Sequence, residues 1–284
     1  LKPVVLENKI ISILESRANP PAHIKLINLG EMLLKQKNYE EALEQFEQAK
    51  EMRPKSARIH VLLGEAYAKL KKFKSAEKSF EQATETNPRY LKGHTARANF
   101  HLKHGNKGAA LDSLEQARII SPDNAERQTK IGEIYLEDGK MEKAKSAFSA
   151  ALEHDPQKSR EVGELYLKTG KAKEAETFFR KALKQCNDTM SRQEKEETIH
   201  IFNRLGIALR KQGRWSDAIS EYENSLKINP NDEVLYYNMG KAYLEGGDVD
   251  QAANCFRKAL LIDPGFTEAT EELEKLPSGK KRKT

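Results

Sequence analysis

The chain has 284 residues, of which 32% are charged and only 7% are aromatic, and its formal net charge is +6. This composition favours helices with charged surfaces over an aromatic-cored sandwich or barrel, and no segment approaches the ~18 consecutive apolar residues of a membrane span. Two cysteines, Cys186 and Cys255, exclude a disulfide framework and favour a reducing compartment, so we expect a cytoplasmic protein without membrane insertion.

Residues 1–18 are predicted to form a helix that is out of register with the rest of the chain. The pair Lys2-Pro3 precedes apolar residues at helical spacing, including Ile10 and Leu14. This segment resembles the end of a response-regulator receiver domain, in which a Lys-Pro pair stands before the last helix. The resemblance implies a receiver–repeat fusion from a two-component system, and the alternative is an N-terminal capping helix. Residues 19–22 are predicted to be a stiff, proline-containing linker.

Residues 23–266 contain seven copies of one pattern. In each copy, a small residue is followed twelve positions later by Ala, then by a large residue, usually aromatic, and then by another small residue. The third copy has Ala98 where the other six have glycine. The spacing between copies is 34 residues, except that the fifth glycine follows after 31 and the sixth after 43. The six glycines are Gly30, Gly64, Gly132, Gly163, Gly206 and Gly240.

Each copy is predicted to fold as two helices joined by a tight turn, because apolar residues recur at helical spacing on both sides of a Gly- or Lys-containing break. The recurring glycine and the alanine twelve residues later are expected to face each other where the helices cross. Each pair would expose an apolar face that only the next pair can cover, so the copies are expected to stack. The pattern resembles the tetratricopeptide repeat (TPR) family. The resemblance implies an all-α fold, a right-handed superhelical solenoid of antiparallel helix pairs.

A polar insertion at residues 188–198 accounts for the long spacing before the sixth copy. Ser191 followed by Glu194 is a capping-box pattern, which predicts that the first helix of this copy starts early. The early start predicts a helix that projects beyond its neighbours, as a solvated extension or as a docking spur. In the fifth copy, the short spacing predicts a first helix that starts three residues late relative to its glycine.

The chain ends with a predicted capping helix at residues 267–276 and a basic flexible tail at residues 277–284. The run Lys280–Lys283 supplies four of the six net positive charges, so the repeats themselves are close to neutral. Such a run binds nucleic acid or an acidic partner through counterion release, which gives an alternative function. We rank nucleic acid below protein partners, because the repeats lack a platform of interleaved aromatic and basic residues.

The sequence contains no motif for catalysis. It has no phosphate-binding loop, no zinc-spaced set of Cys and His, and no nucleophile elbow. We therefore expect no enzyme activity, no cofactor and no metal. A further alternative is that the repeats are the targeting arm of an enzyme whose catalytic domain lies outside these residues.

The TPR resemblance implies that the first helices line a concave groove that holds a peptide or partner protein. In the last two copies the predicted groove residues are basic, with amide and aromatic groups among them, which favours an acidic ligand. In this family an asparagine at the position of Asn238 often binds the main chain of the peptide. Assembly into a homo-oligomer is a further alternative. The candidate binding residues are His200, Asn203, Arg204, Lys211, Tyr237, Asn238 and Lys241, with Asn28 and Asn99 in the first half of the chain.

Overall fold

A computed structural model describes residues 20–186 and 191–276, which contain fifteen α-helices, one 3-10 turn and no β-strand. The all-α prediction is confirmed. The receiver-like segment, part of the insertion and the basic tail lie outside the described residues. The helices are α1 (Ala22–Lys35), α2 (Tyr39–Met52), α3 (Ala57–Lys69), α4 (Phe73–Thr86), α5 (Leu91–Lys103), α6 (Lys107–Ile120), α7 (Ala125–Glu137), α8 (Met141–His154), α9 (Ser159–Lys168), α10 (Ala172–Leu183), α11 (Arg192–Arg210), α12 (Trp215–Ile228), α13 (Glu233–Glu245), α14 (Val249–Ile262) and α15 (Thr267–Lys275).

The helices form successive pairs, and the pairs belong to two compact units. Unit 1 comprises residues 1–124 and unit 2 comprises residues 125–284. Within unit 1, α1 contacts α3 and α3 contacts α5, so the first helices of successive pairs form one layer. Within unit 2, the first helices α7, α9, α11 and α13 contact one another in the same order. Each unit therefore presents a continuous row of first helices.

A residue with positive φ ends the first helix of each of the seven pairs, which confirms the predicted turns. In five pairs this residue is glycine, as at Gly105 with φ of 74°. In the first two pairs it is lysine, with φ of 66° at Lys37 and 59° at Lys71. A side chain with a Cβ is disfavoured in this left-handed region, so both lysines hold a strained backbone.

We expect Lys37→Gly to stabilise unit 1 by about 0.5–1 kcal/mol, because glycine removes the Cβ clash at positive φ and this gain exceeds its greater loss of chain entropy. The matched control is Lys35→Gly, two residues earlier in the helical part of α1. The control variant should lose a similar amount of unfolding free energy, because glycine weakens a helix. Urea unfolding of the two variants should therefore shift in opposite directions, and a loss of stability in both would contradict the assignment.

The recurring glycines contact an aromatic ring more closely than the alanine that was expected to face them. A Cβ built on Gly132 would lie 2.4 Å from Cε1 of Phe148, the aromatic residue sixteen positions later. The other five glycines have the same relation to Phe46, Phe80, Phe179, Tyr222 and Phe256. The ring occupies the space that a Cβ would fill. The aromatic residue is therefore the nearest neighbour of the glycine, and Ala144 and its equivalents in the other five copies are fully buried.

The two irregular copies fold as predicted. Helix α11 has 19 residues, and Ser191 and Glu194 form a complete capping box at its start. The Ser191 Oγ accepts from the Glu194 amide at 3.3 Å, while a Glu194 carboxylate oxygen accepts from the Ser191 amide at 2.7 Å. Helix α9 has only 10 residues and follows a 3-10 turn at Pro156–Lys158. The insertion therefore lengthens α11, and the short spacing shortens α9.

Both cysteines contact the hydrophobic core of unit 2. Cys255 is buried on α14, and burial raises the pKa of its thiol to about 11. Cys186 is half-buried and its thiol donates to the Ala182 carbonyl oxygen at 3.6 Å. Across residues 20–186 and 191–276, none of the helices combines the length and the apolar character that a bilayer crossing requires.

Candidate peptide-binding site

Most of the candidate residues lie on α11 and α13, which contact each other in unit 2. Helix α11 buries Ile201, Leu205 and Ala208, and this apolar stripe turns His200, Asn203 and Arg204 towards the other side. On α13, Leu235 and Ala242 are buried and Lys241 is only partly exposed. Helical periodicity thus places candidate side chains from two neighbouring first helices on one surface.

Arg204 is held by a carboxylate from the preceding repeat. Its Nε donates to both carboxylate oxygens of Glu164 on α9, at 2.7 and 2.8 Å, and Nη2 donates to one of them as well. Both side chains are about 30% exposed, at 29% and 28%, so the pair is neither buried nor fully solvated. A guanidinium and a carboxylate in this forked geometry form a charge-assisted pair with a fixed orientation. The predicted ligand-binding arginine is therefore already neutralised within the chain.

Lys241 has the equivalent partner on the other side of α13. Its Nζ lies 3.1 Å from a carboxylate oxygen of Glu272 on α15. Burial alone would raise the pKa of Glu272, but its hydrogen bond to Lys241 and the nearby positive charges outweigh burial and lower the pKa. Both cations that were expected to bind an acidic ligand are thus occupied by carboxylates of the same chain.

The two ion pairs occupy the same places in the repeat with the charges reversed. Glu164 and Lys241 each follow a packing glycine directly, while Arg204 and Glu272 each stand two positions before the packing position of the next copy. The sequence pattern places the cations in the groove but does not reveal that Glu164 and Glu272 pair with them. This relation between adjacent copies is the signal that could have found them.

Two asparagines between these ion pairs form a polar bridge from α11 to α13. The Asn238 Nδ2 donates to the Asn203 Oδ1 at 2.8 Å, and Asn238 is only 9% exposed. Within the described residues, the remaining donor capacity of the Asn203 amide and the Asn238 carbonyl oxygen has no hydrogen-bond partner. A free donor beside a free acceptor matches the two polar groups of a peptide unit.

The other candidates on these helices differ in their roles. His200 is exposed. Partial desolvation by its neighbours lowers the pKa of its imidazole, and the positive charges of Arg160 and Arg204 lower this pKa further. Lys211 is exposed at the C-cap of α11. The ring of Tyr237 packs between Phe256 and Phe266, at centroid distances of 5.8 and 5.2 Å. Tyr237 therefore helps to fix α13 against α14 and the start of α15.

Asn28 and Asn99 belong to unit 1 and are not neighbours there. Asn28 is exposed on α1 and Asn99 is exposed on α5, and each of these helices packs against α3 between them. The site that the structure assembles in unit 2 consists of Asn203, Arg204, Asn238 and Lys241, together with the two acids Glu164 and Glu272.

The chain is similar to a well-defined repeat family along most of its length. Models described as "Tetratricopeptide repeat" match residues 22–89, 61–125, 101–165, 161–189 and 234–266, and a model described as "TPR repeat" matches residues 206–247. Among curated proteins, the photosystem I assembly protein Ycf3 of Prochlorococcus marinus (strain NATL1A) is 36% identical over 74 residues, which cover 25% of this chain. The chain spans only 42% of the length of that relative.

Two solved structures share the fold. The C-terminal part of a TPR repeat-containing protein from Cytophaga hutchinsonii matches with a TM-score of 0.64 and 19% identity, over 87% of this chain and 99% of that one. A tetratricopeptide repeat protein from Parabacteroides merdae matches with a TM-score of 0.54 and 18% identity, over 89% of this chain and 98% of that one. At such low identity these similarities establish the arrangement of helices and leave ligands undetermined.

Proposed function

The chain is a tetratricopeptide repeat protein, and on that premise we propose that it is a non-catalytic scaffold that binds an acidic peptide or protein segment across α11 and α13. The observation that carries this proposal is the arrangement of two cations, Arg204 and Lys241, around a pair of amides on adjacent first helices. The amides supply hydrogen bonds for a main chain, and the cations supply charge for acidic side chains.

Binding would proceed by exchange of carboxylates. In the free protein Glu164 and Glu272 hold the two cations in place on the same two helices as the amide pair. A ligand carboxylate would replace one of these acids, so the number of ion pairs is conserved and the orientation of the cation is already fixed. Because an existing pair must be broken for each new one, we expect modest affinity and a marked preference for ligands with two or more acids.

We expect Glu164→Gln to raise the affinity for an acidic peptide about fivefold, because the variant removes the internal carboxylate that competes for Arg204. The probe is a fluorescein-labelled Ala-Glu octapeptide, with an Ala-Lys octapeptide of equal length as its control. Fluorescence anisotropy measures binding to both. The ion pair is partly exposed to solvent and contributes little to stability, so the variant should unfold within about 1 kcal/mol of the wild type.

The matched control variant is Glu221→Gln, which removes an ion pair between the second helices of the same two repeats, where Arg180 Nη1 lies 3.1 Å from Glu221. This variant should leave peptide affinity unchanged. Equal binding of the Ala-Glu and Ala-Lys probes to the wild type would show that the ligand class is wrong. Equal affinity of both Gln variants would show that Arg204 is not part of the site.

The finer assignments rest on sequence alone. The role as output module of a two-component response regulator depends on the resemblance of residues 1–18 to the end of a receiver domain. The alternative of nucleic-acid binding depends on Lys280–Lys283, and that of an enzyme's targeting arm depends on sequence outside this chain. Deleting residues 279–284 should reduce any binding to nucleic acid and its salt dependence, and should leave the Ala-Glu probe unaffected.

A further inference from the structure

The turns of the second and third repeats, in unit 1, form a surface with unbalanced positive charge. We call this surface the basic turn edge. No acidic residue occurs between positions 66 and 76 or between positions 98 and 111, and every lysine in these two stretches is exposed. At the centre of the first turn, Phe73 follows Lys71-Lys72 directly and is 43% exposed. The edge comprises Lys69, Lys71, Lys72, Phe73, Lys74, Lys103 and Lys107.

Direct contact joins the two turns into one surface. The rings of Phe73 and His104 pack edge to face with centroids 4.4 Å apart, and His104 lies in the turn of the third repeat. His104 is itself fixed, because its Nδ1 lies 2.7 Å from the Phe100 carbonyl oxygen. The helices that lead into the two turns, α3 and α5, are also in contact. The lysines of both repeats therefore project from the same edge of unit 1.

Four lysines of this edge have no partner of opposite charge within the described residues. Lys71, Lys72, Lys74 and Lys103 make no ion pair with any residue in the described ranges. Two turns in unit 2 differ, since Lys140 lies 3.0 Å from Asp138 and Arg214 lies 2.6 Å from Asp217. Repulsion between like charges destabilises the folded chain, so an unpaired cluster on an otherwise charge-balanced protein calls for an external anion.

We propose that the basic turn edge attaches unit 1 to the surface of a membrane that contains anionic phospholipids. Clusters of four to eight lysines attract such a surface, and each lysine within reach strengthens binding about fivefold. Phe73 adds a half-exposed apolar ring between the lysines at the tip of the turn, where it can enter the interface between headgroups and acyl chains. Attachment of this kind is peripheral and needs no membrane-spanning segment. The inference is independent of the proposed peptide site in unit 2.

The shape and the chemistry of the edge favour a membrane over other anions. The edge consists of exposed side chains on two turns, whereas a peptide is held where a groove surrounds it, so a flat surface is the better match. The cluster contains lysines and no arginine, and lysine acts as a hydrated point charge without the forked geometry that recognises single carboxylates. Nucleic-acid platforms stack several bases on exposed rings. Here the rings of Phe73 and His104 pack against each other and do not form a row of exposed rings.

The test is sedimentation of the full chain with sucrose-loaded vesicles at low salt. One set of vesicles is pure phosphatidylcholine and the other contains phosphatidylglycerol at one part in three. We expect the wild type to sediment only with the anionic set, and Lys72→Gln with Lys74→Gln to weaken this binding about 30-fold. The matched control is Lys171→Gln with Lys173→Gln in the fifth repeat, where the two lysines also flank the first residue of a second helix and are also exposed.

Each result of this experiment decides the proposal. Loss of binding in the first double variant, with wild-type binding in the control, supports it, and Phe73→Ser should then weaken binding at constant charge. Equal loss in both double variants would indicate that total charge or the basic tail is responsible and would overturn the proposal. Absence of wild-type sedimentation with anionic vesicles would also overturn it, as would gel-shift binding of a 20-mer RNA through Lys72 and Lys74 without vesicle binding.

Discussion

Replacing Gly132 with leucine should destabilise unit 2 by about 3 kcal/mol or more, and lower its melting temperature by about 10 °C. The Phe148 ring occupies the place of the missing side chain, with three ring carbons within 3.0 Å of an ideal Cβ, and Phe148 is fully buried. A larger residue at position 132 must therefore push α7 away from α8. Differential scanning calorimetry of the full chain measures the effect, and an unchanged transition would contradict the packing.

The third repeat provides the control for this prediction, because it solves the same packing problem with a different pair. It has Ala98 in place of glycine and Leu114 in place of the aromatic residue, and both are buried. Gly132→Ala and Phe148→Leu should each destabilise unit 2 when made alone. Together they reproduce the Ala–Leu pair. The stability that the double variant loses should therefore be smaller than the sum of the two single losses by at least about 1 kcal/mol.

A second control separates this steric effect from the general effect of replacing glycine. Gly108 lies near the start of α6, and a Cβ built there would have only the Asn106 side chain within 4 Å, at 3.9 Å. Gly108→Ala should therefore leave stability unchanged or raise it slightly, since alanine favours a helix. If Gly108→Ala and Gly132→Ala destabilised the chain equally, the close approach of Phe148 would not be the cause.

Reversing the charge of both groove cations, Arg204→Glu with Lys241→Glu, should reduce affinity for the Ala-Glu probe at least about 100-fold. Each cation is expected to contribute a charge-assisted hydrogen bond to the ligand, and two such bonds contribute about 3 kcal/mol or more. The reversed residues would also repel an acidic ligand. Anisotropy titration measures the change in affinity for the probe. Repeating the titration at a second salt concentration shows whether the salt dependence of binding is lost with the electrostatic attraction.

Charge reversal also places like charges beside Glu164 and Glu272, so the fold needs its own control. Exchanging the partners, Glu164→Arg with Arg204→Glu, restores an ion pair between α9 and α11 and should recover most of the stability. It leaves no cation at position 204, beside the amide pair of Asn203 and Asn238, so affinity should stay low. Wild-type affinity in a folded charge-reversed variant would remove this surface from the proposal.

In residues 23–266 the helices, their turns and their number follow from the amino-acid sequence alone. These features depend on interactions within a few residues, and the pattern repeats them at a fixed interval. The positions of the turns, at Lys37 and at the five glycines among others, follow from where the apolar spacing breaks, and the early start of α11 follows from Ser191 and Glu194. Local hydrogen bonds and steric limits act in the same way wherever the motif occurs, so these predictions needed no tertiary structure.

Which side chains meet across repeats depends on how the helices pack in three dimensions. Glu164 and Arg204 are 40 residues apart because the insertion lengthens α11, and their forked contact depends on how α9 and α11 pack. The same holds for the ring that covers Gly132, since the direction of Phe148 follows from the crossing of two helices. Spacing along a chain fixes which face of a helix a residue occupies, but the distance to a charge on the next repeat depends on how the helices pack. The groove that looked basic in sequence is therefore a row of paired charges in the folded protein.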